Sequence, residues 1–398
     1  MTNKTSFLAA SLFAASVSGL MAADPVESSL DSTFAKLEEA VPGKFSINAR
    51  LRYEEFDAQG GPDRAGNSIR VRYGYTTPDF NGFTAMVEGE SLSPVGNGDD
   101  DIHPLDQAGD GTDLNQLWVQ YMDKDFGKAK VGRQIYTLDD HRFVGHVGWR
   151  QNIQTFDALT GSFTGVDNLT VNAFYFDGVE RVNGNSDELD SYGVNVTYKF
   201  APTAVLTAFY YDFEDEDTPG FDNKTLGLRY VGSTKLDSLA LSYSLSYATQ
   251  SDVTTGNEGD YYAADLAGTF KGVKLGVGME VLESGFRTPF ATVHKFNGFA
   301  DKFLPLSGLA NGLEDVYIYA SYKIPVGNGI ATTIAYHDFS PESGGGQGGT
   351  EIDLVAAYKI NKYLTAVTKY GDYSADSAAT GYFDKDKRMF TFELNFIY

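Results

Sequence analysis

The sequence predicts an all-β protein, a transmembrane antiparallel up-and-down β-barrel of 18 strands. Two patterns carry this prediction. Apolar and polar residues alternate from Phe45 onward, which is the period of strands whose two faces meet different environments. The connections between these segments alternate between short and long, as in bacterial outer-membrane barrels, where the short turns lie on the periplasmic side. A soluble β-sandwich has no reason to sort its connections by length.

The composition excludes several functional classes. The chain has 398 residues with 25 Tyr, 28 Phe and 43 Gly, which suits aromatic-rich strands joined by glycine turns. It has no cysteine, so disulfides, thiolate metal sites and a cysteine nucleophile are excluded. A net charge of −23 argues against nucleic acid as a partner. The mean hydropathy of −0.26 does not argue against a membrane barrel, because its lipid-facing and lumen-facing residues alternate and their hydropathies cancel.

The N-terminus predicts export from the cytoplasm. An apolar run at residues 7–19 follows a positive charge, and small residues suit cleavage after Ala22 or Ala23. We therefore expect residues 1–23 to be a signal peptide. Residues 24–43 are expected to form a periplasmic segment with a short helix from Ser28 to Ala40, and residues 44–398 the barrel. The predicted location is the outer membrane of a diderm bacterium, in contact with its lipid and lipopolysaccharide.

The alternation and the turn residues together predict the strand positions. We expect strands at 45–54, 68–77, 82–92, 113–123, 128–138, 154–164, 169–179, 189–200, 203–214, 223–233, 238–250, 260–270, 272–283, 313–324, 329–339, 350–360, 363–373 and 388–398. The last strand ends on Tyr398, and a terminal aromatic residue resembles the signal that barrel-assembly machinery recognises. That machinery is therefore an expected partner.

Parity within the strands predicts which side chains line the lumen. Arg133 would face lipid by parity, but Gly132 allows a bulge that turns it inward, and parity also places Asp157 inside. A guanidinium group can bind a carboxylate through two parallel hydrogen bonds. The arginines assigned to the lumen therefore predict a site for anions or carboxylated sugars. The alternative is an electrostatic scaffold in which Glu54 and Glu88 neutralise the arginines. The other basic residues assigned to the lumen are Arg50, Arg52, Arg70, Arg72, Arg229, Lys274 and Lys369.

The acidic residues are concentrated in predicted exterior loops, so the net charge says little about the lumen. We expect these acids to be solvated. One loop carries Asp99, Asp100, Asp101, Asp106 and Asp110, and another carries Glu214, Asp215, Glu216, Asp217 and Asp222.

The connection at 139–153 is the predicted constriction, because loops of this length are often functional. The indole of Trp149 offers a flat face for a sugar ring, while Arg142 and Arg150 would hold a carboxylate. His141 completes the candidate set, and Asp157 would orient Arg133 or Arg150. No metal site and no cofactor are predicted, because the histidines of this loop lack a second pair of ligands at suitable spacing.

The densest polar stretch of the chain lies between residues 132 and 158. It contains Gly132-Arg133-Gln134, Asp139-Asp140-His141-Arg142-Phe143, Trp149-Arg150-Gln151-Asn152 and Gln154-Thr155-Phe156-Asp157-Ala158. This stretch resembles the signature segment of the alginate-export family of outer-membrane β-barrels. The resemblance implies a passive channel for an anionic polysaccharide or uronate oligosaccharides, with the arginines as selectivity groups. An anionic carbohydrate or another small anion is then the expected solute.

Other functions remain open. A general or small-anion porin for uptake would use the same arginines, and every predicted periplasmic turn is short, whereas the family's polymer exporters are associated with a long periplasmic loop. An outer-membrane enzyme is not expected, because it needs a serine beside a base on the outer wall and no serine has such a histidine. A purely structural anchor would not require the arginine cluster.

Overall fold

One closed sheet accounts for nearly all of the molecule. The computed structural model describes residues 24–57, 64–96, 106, 111–217, 222–253, 256, 258–304 and 308–398. In this part of the chain, 18 antiparallel strands follow one another around a barrel, which closes where β1 pairs with β18. The predicted architecture is therefore confirmed. The predicted signal peptide, residues 1–23, lies outside the described residues.

The strands run β1 (Lys44–Phe56), β2 (Arg64–Thr76), β3 (Phe83–Pro94), β4 (Gly111–Asp123), β5 (Gly127–Gln134), β6 (Thr155–Val166), β7 (Leu169–Glu180), β8 (Ser186–Ala201), β9 (Ala204–Phe213), β10 (Asn223–Leu236), β11 (Leu239–Asp252), β12 (Glu258–Phe270), β13 (Val273–Leu282), β14 (Leu313–Ile324), β15 (Ile330–Ser340), β16 (Gly349–Lys359), β17 (Leu364–Ala375) and β18 (Lys387–Ile397).

The alternation in the sequence sorts side chains between the two walls. The outer wall is an exposed apolar band, as contact with hydrocarbon requires. On β11, for example, Leu245 is exposed and its neighbours Ser244 and Ser246 face the lumen. Other exposed residues of the band are Leu117, Val119, Leu159, Leu226, Leu228, Leu266, Leu275, Ile318, Ile334 and Leu354.

Short turns join the strands at one end of the barrel. Lys271 and Gly272 connect β12 to β13 with φ values of 48° and 83°, which suits a type I′ turn that follows the twist of a hairpin. At the other end the connections are longer and include residues 135–154 and 283–312. The short turns mark the periplasmic end, so both long loops begin on the extracellular side.

A helix, α1 (Asp24–Ala40), precedes the barrel at its periplasmic end. It begins at Asp24 instead of the predicted Ser28, because a proline is tolerated in the first turn of a helix. The ring of Phe34 stacks on Tyr398 with centroids 3.4 Å apart, so α1 covers the join between β1 and β18. Among the described residues, no helix has the length and apolar character needed to cross a membrane.

The extracellular half of the lumen contains an apolar core. Phe156, Phe174 and Phe176 point inward from β6 and β7 and stack with centroids 4.2 Å apart. Val144 of the β5–β6 loop and Phe290 of the β13–β14 loop, both fully buried, pack against them. Strand β5 stops at Gln134 instead of the predicted 138, because residues 135–138 leave the wall and Leu138 enters this core. Two extracellular loops are thus folded into the barrel.

The assignment of the two ends is testable on intact cells. Tags inserted at Asp217 or Gly346 should be labelled from outside, whereas tags at the exposed turn residues Asp125 and Asp167 should be labelled only after lysis. Labelling of the second pair on unbroken cells would reverse the orientation or refute the barrel.

Candidate functional site in the lumen

The four strand arginines lie on one patch of the lumen wall. The register pairs Arg50 with Arg70 directly, and Arg72 lies opposite Asn48 on the same face. Arg52 and Arg70 are each about 1% exposed, although they belong to the wall of a channel. The β5–β6 loop (residues 135–154) folds back onto the patch and accepts hydrogen bonds from Arg50, Arg52 and Arg72.

The loop is held by its backbone carbonyl groups. Arg50 donates hydrogen bonds to the carbonyl oxygens of Gly148, Trp149 and Arg150 at 3.1, 3.0 and 2.9 Å. Arg72 donates to the carbonyl oxygen of Gln151 at 3.1 Å. These guanidinium groups therefore fix the course of the loop and are not free for a solute.

Carboxylates neutralise the same arginines. Arg52 is bound to Glu393 of β18 at 2.7 Å, and Arg72 is paired with Glu90 of β3. Glu393 also accepts from Lys369 at 3.1 Å. This part of the cluster matches the scaffold alternative. The predicted Glu54 lies 3.5 Å from Arg52, Glu393 is a further partner, and Glu90 stands in place of the predicted Glu88.

Arg150 is the best connected of the loop residues. Its side chain has no exposed surface and reaches Glu54 at 2.9 Å, Asp301 at 3.4 Å and Asp106 at 3.6 Å. Burial by itself would lower the pKa of Arg150, but these three carboxylates more than reverse that effect, so its pKa lies above the ordinary value. The guanidinium therefore stays charged and joins the barrel wall to three separate extracellular loops.

The β13–β14 loop (residues 283–312) forms the other half of the constriction, a role that the sequence analysis did not predict. Its backbone pairs with the β5–β6 loop, since Gly145 donates to the carbonyl oxygen of Phe290 at 2.8 Å and Thr292 donates to that of His141 at 2.9 Å. Its only sequence signal is length. Nothing in the local pattern indicates that two separate loops meet inside the barrel.

His294 of this loop connects the two halves chemically. Its Nε2 accepts a hydrogen bond from Nε of Arg150 at 3.0 Å, so the ring proton belongs on Nδ1, which lies 2.6 Å from Asp301. Burial lowers the pKa of His294 to about 4, against the opposing effect of Asp301. The imidazole is therefore neutral near pH 7.

Trp149 does not present the open face that the sequence predicted for a sugar ring. Its indole stacks on His294 with centroids 4.6 Å apart, and Nζ of Lys369 lies 3.8 Å from the ring centroid. Phe299 packs against it at 5.0 Å. The indole therefore belongs to the contact between the two loops.

Arg142, His141 and Arg229 lie away from the strand arginines. Arg142 is buried and donates to Glu280 at 2.7 Å, while Arg229 forms an ion pair with Asp140 at 2.9 Å. The ring of His141 lies beside that of His146. These residues hold the other side of the β5–β6 loop against β10 and β13.

The predicted lumen position of Arg133 and Asp157 is wrong. Arg133 pairs in register with Leu117, which is 52% exposed on the outer wall, and with Asp157 on its other side. Gly132 does have a positive φ of 115°, but the register does not shift there, so the parity of Arg133 is unchanged. Asp157 and Glu180 bind the guanidinium at 2.7 and 2.9 Å, at the extracellular end of the wall, where a charge facing lipid costs least.

Two loop predictions are also corrected. Asp106 is buried between Arg52 and Arg150, and Asp215 is buried in an ion pair with Arg181 at 2.9 Å, so neither acid is simply solvated. The other acids predicted in the first loop, Asp99, Asp100, Asp101 and Asp110, lie outside the described residues. Within the part of the chain that is described, no three His, Asp or Glu side chains converge to hold a metal ion.

Comparison with known proteins agrees with this architecture. The family model described as alginate export matches residues 42–279, which is more than half of the chain. The chain belongs to the alginate export family.

The structural relatives of this alginate export family member are outer-membrane channels. OccAB2 of Acinetobacter baumannii superposes with a TM-score of 0.72 at 15% identity, covering 90% of this chain and 98% of that chain. OccK1 (OpdK) of Pseudomonas aeruginosa gives 0.70 at 13% identity, with 90% and 98% covered, and a structure of OpdK with vanillate gives the same values. At these identities the likeness establishes the fold. No curated protein matches the chain in sequence.

Family and fold together point to a passive channel of the outer membrane. Arg70 differs from the other members of the arginine cluster in its hydrogen bonds. Nη2 of Arg70 donates to Asn48 at 2.7 Å, but among the described residues Nε and Nη1 have no hydrogen-bond partner. An unsatisfied buried donor costs about 1–3 kcal/mol, and more when it is charged.

The Arg150 network can be tested by removing its guanidinium. Arg150→Gln removes one counter-charge from the buried carboxylates Glu54, Asp106 and Asp301, and breaking such a buried ion pair costs about 3–5 kcal/mol. We expect the β5–β6 loop to become sensitive to protease and the single-channel conductance to rise. Arg133→Gln is the matched control, because its ion pairs lie outside the barrel, and it should keep wild-type conductance. Unchanged conductance in Arg150→Gln would remove the loop from the constriction.

The histidine gives the constriction a dependence on pH. His294 has a pKa of about 4 in the packed loop against 6.5 ordinarily, so a displaced loop binds a proton that the packed loop excludes. The neutral imidazole of His294 therefore contributes fully to the packing of the loop above pH 6.5, and this contribution is lost as the pH falls through about 4. We expect current noise and mean conductance to rise over this acid range in planar bilayers. His294→Gln should weaken that pH dependence, and an identical profile in both proteins would exclude His294 as its source.

Proposed function

We propose that the channel passes small carboxylated solutes, with uronic-acid sugars as the primary class. The observation that carries the proposal is Arg70, a buried guanidinium on the lumen wall with two nitrogens that no described residue satisfies. Guanidinium donors recognise carboxylates better than neutral groups, because the hydrogen bonds are charge-assisted. The membership of a family named for export of alginate, a polymer of uronic acids, supports the choice of solute.

The packed loops favour short solutes over a polymer. The β5–β6 and β13–β14 loops meet in the lumen through backbone hydrogen bonds and the buried Arg150 network. A continuous polysaccharide would require both loops to stay displaced during passage. Uronate monomers and short oligomers are therefore the form that we propose, and uptake and export are both compatible with a passive channel.

A second candidate is the passage of aromatic monocarboxylates. OpdK, which has the same fold, has been crystallised with vanillate, an aromatic carboxylate. A carboxylate of either class would use Arg70. The two classes differ in their hydroxyl groups, so block by galacturonate compared with block by vanillate separates them.

Substitution of Arg70 tests the proposal. Loss of one charge interaction of about 1 kcal/mol changes a permeability ratio roughly fivefold. Arg70→Gln should therefore reduce the preference for chloride over potassium about fivefold, measured as the reversal potential in a salt gradient, and should weaken block by galacturonate. Arg70→Lys should retain part of the preference.

Arg229→Gln is the matched control, since that guanidinium faces the lumen but is neutralised by Asp140. It should shift the reversal potential less than Arg70→Gln does. A wild-type channel that prefers cations, or an Arg70→Gln variant with unchanged selectivity and block, would refute the proposed function.

A further inference from the structure

A polar cavity lies in the lumen, away from the arginine cluster. It has a volume of about 390 Å³ and is lined by β5, β6, β7 and β8, with residues 135–139 of the β5–β6 loop at its extracellular end. That volume falls within the range of small-molecule sites, about 300–1,000 Å³. One end of the cavity reaches Lys128, the second residue of β5 after a periplasmic turn. It therefore faces the periplasmic side of the constriction.

Two lysines supply positive charge to this cavity. Lys128 and Lys130 share the lumen-facing parity of Gln134, and both line the cavity. The ammonium group of Lys130 rests 4.1 Å from the ring centroid of Trp118, which fixes its position. Neither lysine forms an ion pair with any residue that the structure describes. In contrast to most of the arginines, their charge is therefore not neutralised by an ion pair among the described residues.

The remaining walls carry groups that bind hydroxyls. Ser162, Asn172 and Thr197 line the cavity with side chains that can each donate and accept. At its extracellular end the hydroxyl of Tyr136 is buried, and no described residue hydrogen-bonds to it. A buried hydroxyl without a partner is unusual in a folded protein, and a ligand oxygen in the cavity would satisfy it.

We propose that this cavity is a binding subsite for one uronic-acid unit, reached from the periplasmic side. The carboxylate lies against Lys128 and Lys130, and the ring hydroxyls bind Tyr136 and the amide and hydroxyl side chains of the wall. The proposal rests on the proposed function and deepens it by adding a second position for the solute. Arg70 then selects for anions, while the cavity retains a hydroxylated anion beside the constriction.

The residence time of a blocking solute tests the subsite. Galacturonate oligomers are added from the periplasmic side of single channels in a planar bilayer, and the duration of each block is measured. Loss of two charge-assisted hydrogen bonds in Lys128→Gln/Lys130→Gln should shorten the block at least about tenfold. The reversal potential of this variant should stay on the anion side, because Arg70 is intact.

Two further variants make the test specific. Lys274→Gln is the matched control, because Lys274 is also a lumen lysine resting on an aromatic ring, at 5.1 Å from Tyr319, but it does not line the cavity. It should keep wild-type block durations. Tyr136→Phe removes one hydroxyl and should shorten galacturonate block about threefold while leaving acetate permeability unchanged.

The possible failures are distinguishable. If the double lysine variant keeps wild-type block durations while Arg70→Gln loses block, the subsite is refuted and the proposed function stands. If Lys274→Gln shortens block as much as the double variant does, the change in block duration comes from the overall positive charge of the lumen, and the subsite is again refuted. A wild-type channel that is cation-selective and not blocked by galacturonate refutes the proposed function, and the subsite with it.

Discussion

The buried guanidinium of Arg150 is the interaction on which the interior of this barrel depends. It lies on one extracellular loop, binds Glu54 of the wall and Asp301 of a second loop, and reaches Asp106 of a third. An 18-stranded barrel needs no loop inside it to be stable, since every strand is already paired with two neighbours. The Arg150 network therefore does not hold the barrel closed; it determines how much of the lumen remains open.

Neutralised and free cations have different roles in this lumen. Arg50, Arg52 and Arg72 use their donors on loop carbonyls and carboxylates, so they position the constriction. Arg70, between them, has two nitrogens without a hydrogen-bond partner among the described residues. A cluster of like charges is tolerable in this arrangement because most of its members are paired. We propose that the remaining member selects for anions inside the barrel, although the net charge of the chain is −23.

The fold was predictable because strand parity and connection length are properties of the local sequence. The alternation around Leu245 predicts a strand with one lipid-facing side, and the structure has it. The prediction that Arg133 faces the lumen was wrong because a glycine allows a bulge without requiring one. The register with Leu117 shows that Arg133 faces the outside of the barrel. The roles of Glu393, Asp301 and His294 were not predictable. They depend on which side chains meet across the barrel interior, and residues far apart in the chain meet there without any periodic signal.

A structure of the channel with bound galacturonate would show which guanidinium binds the solute. We expect a carboxylate oxygen within hydrogen-bond distance of Nε or Nη1 of Arg70, with Arg150 still bound to Glu54 and Asp301. A carboxylate bound instead to Arg52 or Arg150, with Glu393 or Asp301 displaced, would contradict this expectation. In that case the arginines described here as the scaffold would themselves be the binding site.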